Sequence, residues 1–162
     1  MYVDSLLTLH GSISGNTMTG ANAFASGASI LSTNTIDLSS GGIPAGNVRD
    51  IGAGNDLVKM RVLVTTAFTG GTSGEFQIIT TDDAALSTNL TVIGTSSAIA
   101  VASLPIGSRF EVEINTRLLS KGQRYLGMRT VNVGANTTGA IFADMGPDIE
   151  DFKTYPSGFA VL

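Results

Sequence analysis

The sequence predicts an all-β protein, a jelly-roll-like antiparallel β-sandwich of about eight strands. Three observations predict this class. Short segments that alternate polar and apolar residues recur along the chain, turns rich in Gly, Asn and Ser separate them, and no long segment has helical periodicity. With 162 residues the chain is long enough for one domain, so we expect a single domain over residues 1–162.

The N-terminal part of the chain has little regular patterning. Residues 2–9 (YVDSLLTL) suit a short strand or a docked arm. Residues 11–31 are dense in Gly, Ser and Asn, a composition typical of an extended arm or loop. Three apolar residues spaced along this segment are its expected anchors: Ile13, Met18 and Phe24. Residues 32–42 then predict a short strand that runs into a turn.

The clearest strand is 57–68 (LVKMRVLVTTAF). Its period-two alternation of β-branched and polar residues is typical of a half-buried strand. The predicted inward face contains Val58, Met60, Val62, Val64, Thr66 and Phe68. Lys59 and Arg61 fall on the opposite face. The glycine-rich residues 69–74 predict a hairpin turn, with 75–81 returning as the partner strand.

The rest of the chain continues the pattern of strands and turns. The predicted strands are 90–97, 109–115, 124–133 and 139–145, with a loop at 82–89 and turns near 105–107 and 134–138. In the strand 109–115 we expect Phe110, Val112 and Ile114 to point inward and the charged residues between them to point outward. Residues 146–162 contain two prolines and predict an irregular C-terminal tail.

The low content of charged residues suits a protein that works in contact with other proteins. Only 14% of the residues are charged, against roughly 25% in an average domain. Charged side chains such as Lys, Glu and Asp are depleted from protein interfaces. A β domain with a surface of small polar side chains is the alternative, and composition leaves both open. The net charge of −4 provides no basic field to attract nucleic acid or anionic lipid.

The sequence also argues against disulfide-stabilised, membrane-spanning and secreted proteins. Cysteine is absent, which removes disulfides, thiolate nucleophiles and cysteine metal sites. No apolar stretch approaches the roughly 18–20 residues needed to span a bilayer, so no membrane partner is expected. The N-terminus lacks the positive segment of a signal peptide. We therefore expect the protein to be made and kept in the cytoplasm of its producer.

The sequence contains no recognisable catalytic set, so we predict that the protein is not an enzyme and has no cofactor. His10 is the only histidine, and it is expected to be a solvated loop side chain. A zinc ion would find only this one imidazole and no thiolate, so no zinc site is expected. Glu111 and Glu113 lie two apart on a predicted strand, about 6.5 Å from each other by strand rise. That separation suits a glycosidase pair, but an exposed strand face is the simpler interpretation.

Two acidic groups offer a further alternative. Asp82 and Asp83 are adjacent, and the tail region carries Asp144, Asp148, Glu150 and Asp151. Oxygen ligands of this kind suit Ca²⁺, but neither group has the spacing of an EF-hand. We expect them to be solvated acids, with no metal.

The segment 49–57 (RDIGAGNDL) resembles part of a phosphate-binding loop. A phosphate cradle places its glycines between a strand and a helix N-terminus. Here the glycines precede a strand, so they predict a turn. Arg49 and Asp50 are placed for a local ion pair or for contact with a neighbouring chain.

The succession of several fragments resembles the capsid cement, or decoration, proteins of tailed bacteriophages, in particular the jelly-roll cement family of short-tailed phages. The fragments are STNTIDL (32–38), RDIGAG (49–54), VTTAFTGGTS (64–73), TTDDAALST (80–88), RYLGMRTV (124–131), NTTGAI (136–141) and YPSGFAV (155–161). The similarity covers most of the chain from Ser32 onward. Members of that family reach the first fragment sooner, so the stretch 11–29 is longer here.

The resemblance implies a structural virion protein without catalytic residues. It would bind the outside of an icosahedral shell built from a different major capsid protein, cement neighbouring capsomers and act as a homodimer or homotrimer. The expected location is therefore the capsid exterior, after synthesis in the host bacterial cytoplasm.

Three contact regions are predicted for such a protein. They are the 11–29 segment with Ile13, Met18 and Phe24, the turn with Arg49 and Asp50, and the tail with Phe152, Tyr155 and Phe159. The alternative function is a β-sandwich adhesion or carbohydrate-binding module of a phage tail or fibre. A glycoside hydrolase that uses Glu111 and Glu113 is a third hypothesis.

Overall fold

The computed structural model describes residues 5–15, 17–24, 27–39, 58–115 and 123–146, which form an antiparallel β-sandwich. The strands are β1 (Thr8–His10), β2 (Ser12–Ser14), β3 (Thr17–Thr19), β4 (Ala21–Asn22), β5 (Ser29–Leu31), β6 (Ile36–Asp37), β7 (Lys59–Gly70), β8 (Ser73–Thr81), β9 (Thr91–Thr95), β10 (Ile99–Ala100), β11 (Arg109–Glu113), β12 (Tyr125–Val133) and β13 (Asn136–Gly146). Two short 3₁₀ helices accompany them, Ser5–Leu7 and Val101–Ser103. No helix within these ranges is long and apolar enough to cross a membrane. The predicted all-β class is confirmed.

The strands form two main sheets with nested pairing. In the first sheet β1 and β4 pair with β13, which pairs with β7, which pairs with β11. In the second sheet β5 and β6 pair with β12, which pairs with β8, which pairs with β9 and β10. The pairing is nested along the chain. Strands β1 and β4 pair with β13, β5 and β6 with β12, β7 with β11, and β8 with β9 and β10. A long antiparallel ribbon rolled in this way is a jelly roll.

The turn between β7 and β8 differs from the predicted hairpin. Gly70 and Gly71 have φ angles of +70° and +62°, which glycine adopts without strain. The chain does not return along β7, because β7 pairs with β13 and β11 whereas β8 pairs with β12, β9 and β10. It crosses to the second sheet instead. Phe68 and Phe76 consequently meet across the core, with ring centroids 6.3 Å apart in an edge-to-face arrangement.

The core lies between the two sheets and is built from buried apolar side chains of both. Among them are Leu9, Met60, Val62, Val64, Phe76, Ile78, Ile93, Leu104, Val112, Leu126, Met128 and Ile141. The predicted inward face of β7 is confirmed except at Thr66, which is exposed. The pairing of β13 with β7 shifts register on either side of Thr66. Each shift reverses the side to which β7 residues point, so Thr66 turns outward and Phe68 turns back in.

The segment predicted as an arm or loop over 11–31 is more regular in the described residues. Strands β2 and β3 form a hairpin in which Ile13 faces Met18. Strand β4 joins the first sheet and β5 joins the second. Backbone pairing, which composition does not reveal, holds this part of the chain. Gly20 shows how closely it is packed, because an added Cβ atom would overlap the Thr65 hydroxyl.

Candidate interaction surfaces

The predicted anchors of the 11–29 segment lie against the protein's own body. Met18 is 38% exposed and lines a cavity of about 30 Å³ together with Phe142, Arg61 and Asp144 of the first sheet. The β2–β3 hairpin therefore covers part of the outer face of that sheet. Ile13 is half-buried opposite Met18, and Phe24 packs against the core.

The other predicted interface residues lie outside the described residues: Arg49, Asp50, Phe152, Tyr155 and Phe159.

A buried ion pair lies beneath the hairpin. Arg61 of β7 and Asp144 of β13 are cross-strand neighbours; the guanidinium Nε donates to Oδ1 at 3.1 Å and Nη2 donates to Oδ2. The prediction that Asp144 is a solvated acid is therefore wrong, because Asp144 is fully buried. Alternation identified the outer face correctly, but the hairpin covers that face. Burial raises the pKa of Asp144, and the Arg61 guanidinium opposes this shift.

The carboxylate pair considered for catalysis belongs to an ion cluster at the edge of the same face. The Lys59 ammonium lies 3.6 Å from Glu111 and 3.5 Å from Glu113. Both contacts follow from the pairing of β11 with β7, which places Glu113 opposite Lys59 and Glu111 opposite Arg61. The two carboxylates share one ammonium, an arrangement that stabilises the pairing of an edge strand.

The outer face of the second sheet carries a row of joined polar side chains. Arg129 donates from Nε and Nη2 to the Gln77 side-chain oxygen, at 2.8 and 2.6 Å. Gln77 in turn donates to Glu75 at 2.7 Å, and the Thr95 hydroxyl donates to the same carboxylate at 2.6 Å. The hydrogen bonds from Thr95 and Gln77 lower the pKa of Glu75. The row is thus a fixed, charged strip across three strands.

An apolar patch lies beside this row and consists of Leu31, Val131 and Val133. Leu31 pairs with Arg129 and is 38% exposed, Val133 is 51% exposed, and Val131 is half-buried. We call the patch and the polar row together the second-sheet face. Sequence reasoning missed it, although the alternation within 75–81 and 124–133 already placed these residues on one side of each strand.

The acidic loop 82–89 is held by its own carboxylates. Asp83 accepts hydrogen bonds from the Thr88 amide at 2.7 Å and from the Ser87 amide and hydroxyl at 3.0 and 2.8 Å. These bonds lower the pKa of Asp83. Asp82 accepts from the Asn89 side chain at 2.6 Å. Residues with metal-ligating side chains form no group of three or more in the described ranges, so Asp82 and Asp83 fasten the loop.

His10 is buried, which contradicts its predicted place in a solvated loop. It is 1% exposed and lies on β1, which pairs with β13 at the end of the first sheet. Its Nε2 atom lies 3.0 Å from the Asn22 carbonyl oxygen, and the Thr33 amide donates to Nδ1 at 3.2 Å. Burial lowers the pKa of His10, and hydrogen bonds to the backbone of Asn22 and Ala21 oppose this shift.

An open groove of about 470 Å³ lies where the two sheets approach each other at β9 and β11. Its lining includes Ile93, Gly94, Glu113 and Asn115. The Asn115 amide donates to the Ile93 carbonyl at 2.6 Å, so backbone bonding links the two sheets here.

Comparison with known proteins identifies one family. A family model described as Bbp16 matches residues 20–145. No curated protein matches the chain. The matched range contains the whole second sheet and, from the first sheet, β4, β7, β11 and all but the last residue of β13. Because the match covers most of the chain and nearly all of both sheets, this protein belongs to the Bbp16 family of phage-associated proteins.

Proposed function

We propose that this protein is a phage capsid cement protein, which binds the outer surface of an icosahedral capsid and holds neighbouring capsomers together. The observation that carries the proposal is the Bbp16 match over residues 20–145, which spans nearly the whole jelly roll of a phage-associated protein. The resemblance of the ordered fragments to cement proteins of short-tailed phages points to the same role. The partner would be the major capsid protein, and the location the capsid exterior.

The mechanism would be stabilisation by mass action. A protein that binds the assembled lattice but not the free subunits favours the lattice by its binding free energy. A stable contact typically buries about 800 Å² on each partner. Fixed side chains lose little conformational entropy when they bind, which makes a pre-ordered surface suitable for this task.

The second-sheet face has the properties that such a contact needs. Its polar row is already ordered by hydrogen bonds among Arg129, Gln77, Glu75 and Thr95. The adjoining patch exposes Leu31 and Val133, so the face combines apolar area with charges. The first-sheet outer face is partly covered by the β2–β3 hairpin. We therefore propose the second-sheet face as a capsid contact.

The direct test adds purified protein to undecorated shells. Cosedimentation and a rise in the temperature of shell rupture at saturation are expected. Val133→Glu places a charge in the apolar patch and should weaken decoration by at least tenfold. Ile106→Glu is the matched control, since Ile106 is 70% exposed in a turn attached to the first sheet.

The outcomes separate the function from the surface. No binding and no rise in rupture temperature would overturn the cement role. Decoration that Val133→Glu leaves unchanged would overturn only the second-sheet face as the contact. Binding to glycans in place of shells would favour the adhesion alternative.

The oligomeric state is a separate part of the proposal. We propose that the protein acts as a homodimer or homotrimer, as the resemblance implies. Native mass spectrometry of the purified protein would distinguish the two, and a monomer at the concentration that saturates shells would contradict both.

A further inference from the structure

The hydrogen bonds of His10 fix the protonation state of its ring. An amide N–H only donates, so the Nδ1 atom that receives the Thr33 amide carries no proton. The Nε2 atom faces the Asn22 carbonyl oxygen, which only accepts, so Nε2 carries the proton. Both partners are thus satisfied by the neutral ring and by one tautomer. A second proton on Nδ1 would face the Thr33 N–H and break that bond.

The ring joins three separate parts of the chain. His10 lies on β1 and Asn22 on β4, both in the first sheet. Thr33 lies between β5 and β6, which both belong to the second sheet. Other bonds cross the same junction: the Asn34 amide donates to the Leu9 carbonyl, the Asn34 side chain to the Gly11 carbonyl, and the Gly11 amide to the Thr33 hydroxyl. The ring is the one ionisable member of this set.

Within the described ranges, the elements around the ring offer it no carboxylate of its own. His10 is the one ionisable side chain between Ser5 and Ile36, so β2, β3, β4 and the segment 32–35 contribute none. Strand β13 contributes Asp144, which is paired with Arg61. A protonated ring would therefore be buried without its own counter-ion.

We propose that His10 is a pH-sensitive clasp, whose neutral ring fastens β1 and β4 to the segment 32–35 and whose protonation opens this side of the sandwich. The lowered pKa of the buried ring sets the direction. The unfolded chain takes up a proton near pH 6.5, whereas the folded protein does so at lower pH. The neutral His10 ring thus makes its full contribution to stability above about pH 6.5. Below that pH, the ratio of folded to unfolded protein falls up to tenfold per pH unit.

The first experiment follows the ring itself. Since the chain has one histidine, its imidazole NMR signals need no assignment. We expect the Nε2–H tautomer at pH 7.5 and a titration midpoint below 6.5. Hydrogen exchange, corrected for its intrinsic pH dependence, should show lost protection at Gly11 and Thr33 below the midpoint. Protection should be retained at Val64 and Phe68, whose amides donate to the Ser108 and Leu104 carbonyls away from this junction. A midpoint at or above 6.5, or unchanged protection across it, would overturn the proposal.

The second experiment compares two variants by urea denaturation at pH 7.5 and 5.5. His10→Gln should lower the midpoint at pH 7.5 and abolish most of the difference between the two pH values. Asn34→Ala removes a bond across the same junction without removing a titrating group, so it should lower the midpoint equally at both. Equal pH dependence in His10→Gln and the wild type would refute the clasp. If His10→Gln does not fold, the wild-type titration decides.

Discussion

Arg61 and Asp144 lie 83 positions apart in the sequence and form a buried, two-point ion pair between β7 and β13. The pair has little room, because a Cβ atom added at Gly146 would lie 2.5 Å from the guanidinium carbon. A guanidinium enclosed in this way depends on its carboxylate, since a buried charge without a counter-ion is costly.

Asp144→Asn should therefore destabilise the fold strongly. Removing one partner of a buried pair typically costs about 3–5 kcal/mol, and urea denaturation at pH 7 would measure the loss. The control is Asp37→Asn, which breaks the exposed pair with Arg124 and should cost much less. Equal losses of unfolding free energy in the two variants would contradict the view that burial makes the Arg61–Asp144 pair more important for stability than the exposed pair.

Acid should remove the contribution of the Asp37–Arg124 pair. Hydrogen bonding from the Arg124 guanidinium lowers the pKa of Asp37 to about 2. A lowered folded pKa means that the stabilisation is present above the unfolded pKa of about 3.9 and is lost as pH falls towards 2. The difference in denaturation midpoint between the wild type and Arg124→Met should thus shrink between pH 5 and pH 2. A constant difference would contradict the assignment.

Gly127→Ala should disturb the loop 82–89. Leu86 lies on Gly127, and an added Cβ would overlap its methyl groups. Overpacking of this kind costs about 1–3 kcal/mol. In a Leu86→Ala background the same substitution should cost less, and a double-mutant cycle measures the difference. Additive effects would show that Leu86 adapts without strain.

Gly94→Ala tests the approach of β9 to the end of β11. A Cβ there would overlap the Glu113 carbonyl oxygen, a backbone atom that cannot rotate away. We expect a loss of about 1–3 kcal/mol in thermal or urea denaturation. Gly74→Ala is the matched control, because it is also a strand glycine and its Cβ would meet only ordinary contacts. Equal stability of the two variants would show that β9 and the end of β11 can move apart to accept the added methyl group.

Local alternation predicted the fold class and most strands, because side-chain period reports which residues are buried. It did not predict the partner of β8. The alternation pattern of β8 is the same whether β8 pairs with β7 or crosses to the opposite sheet, because one face of β8 is buried in both cases. The glycines at 70–71 permit either path.

The candidate surfaces were harder to predict for a related reason. Alternation placed Arg61 outside the core correctly, but its burial depends on a hairpin elsewhere in the chain. The burial of His10 likewise depends on a pairing with β13. The row formed by Glu75, Gln77 and Arg129 requires two strands to be in register, and no local pattern specifies that register.

The nested pairing has a consequence for biosynthesis. Strand β13 supplies hydrogen-bond partners to β1, β4 and β7, and it is the last described strand to leave the ribosome. Between the synthesis of β7 and that of β13, the apolar side of β7 lacks a completed sheet, so the nascent chain exposes apolar surface. Non-local pairing also slows folding. Production at low temperature or a slow rate of synthesis should therefore raise the soluble yield more than substitutions on the finished surface.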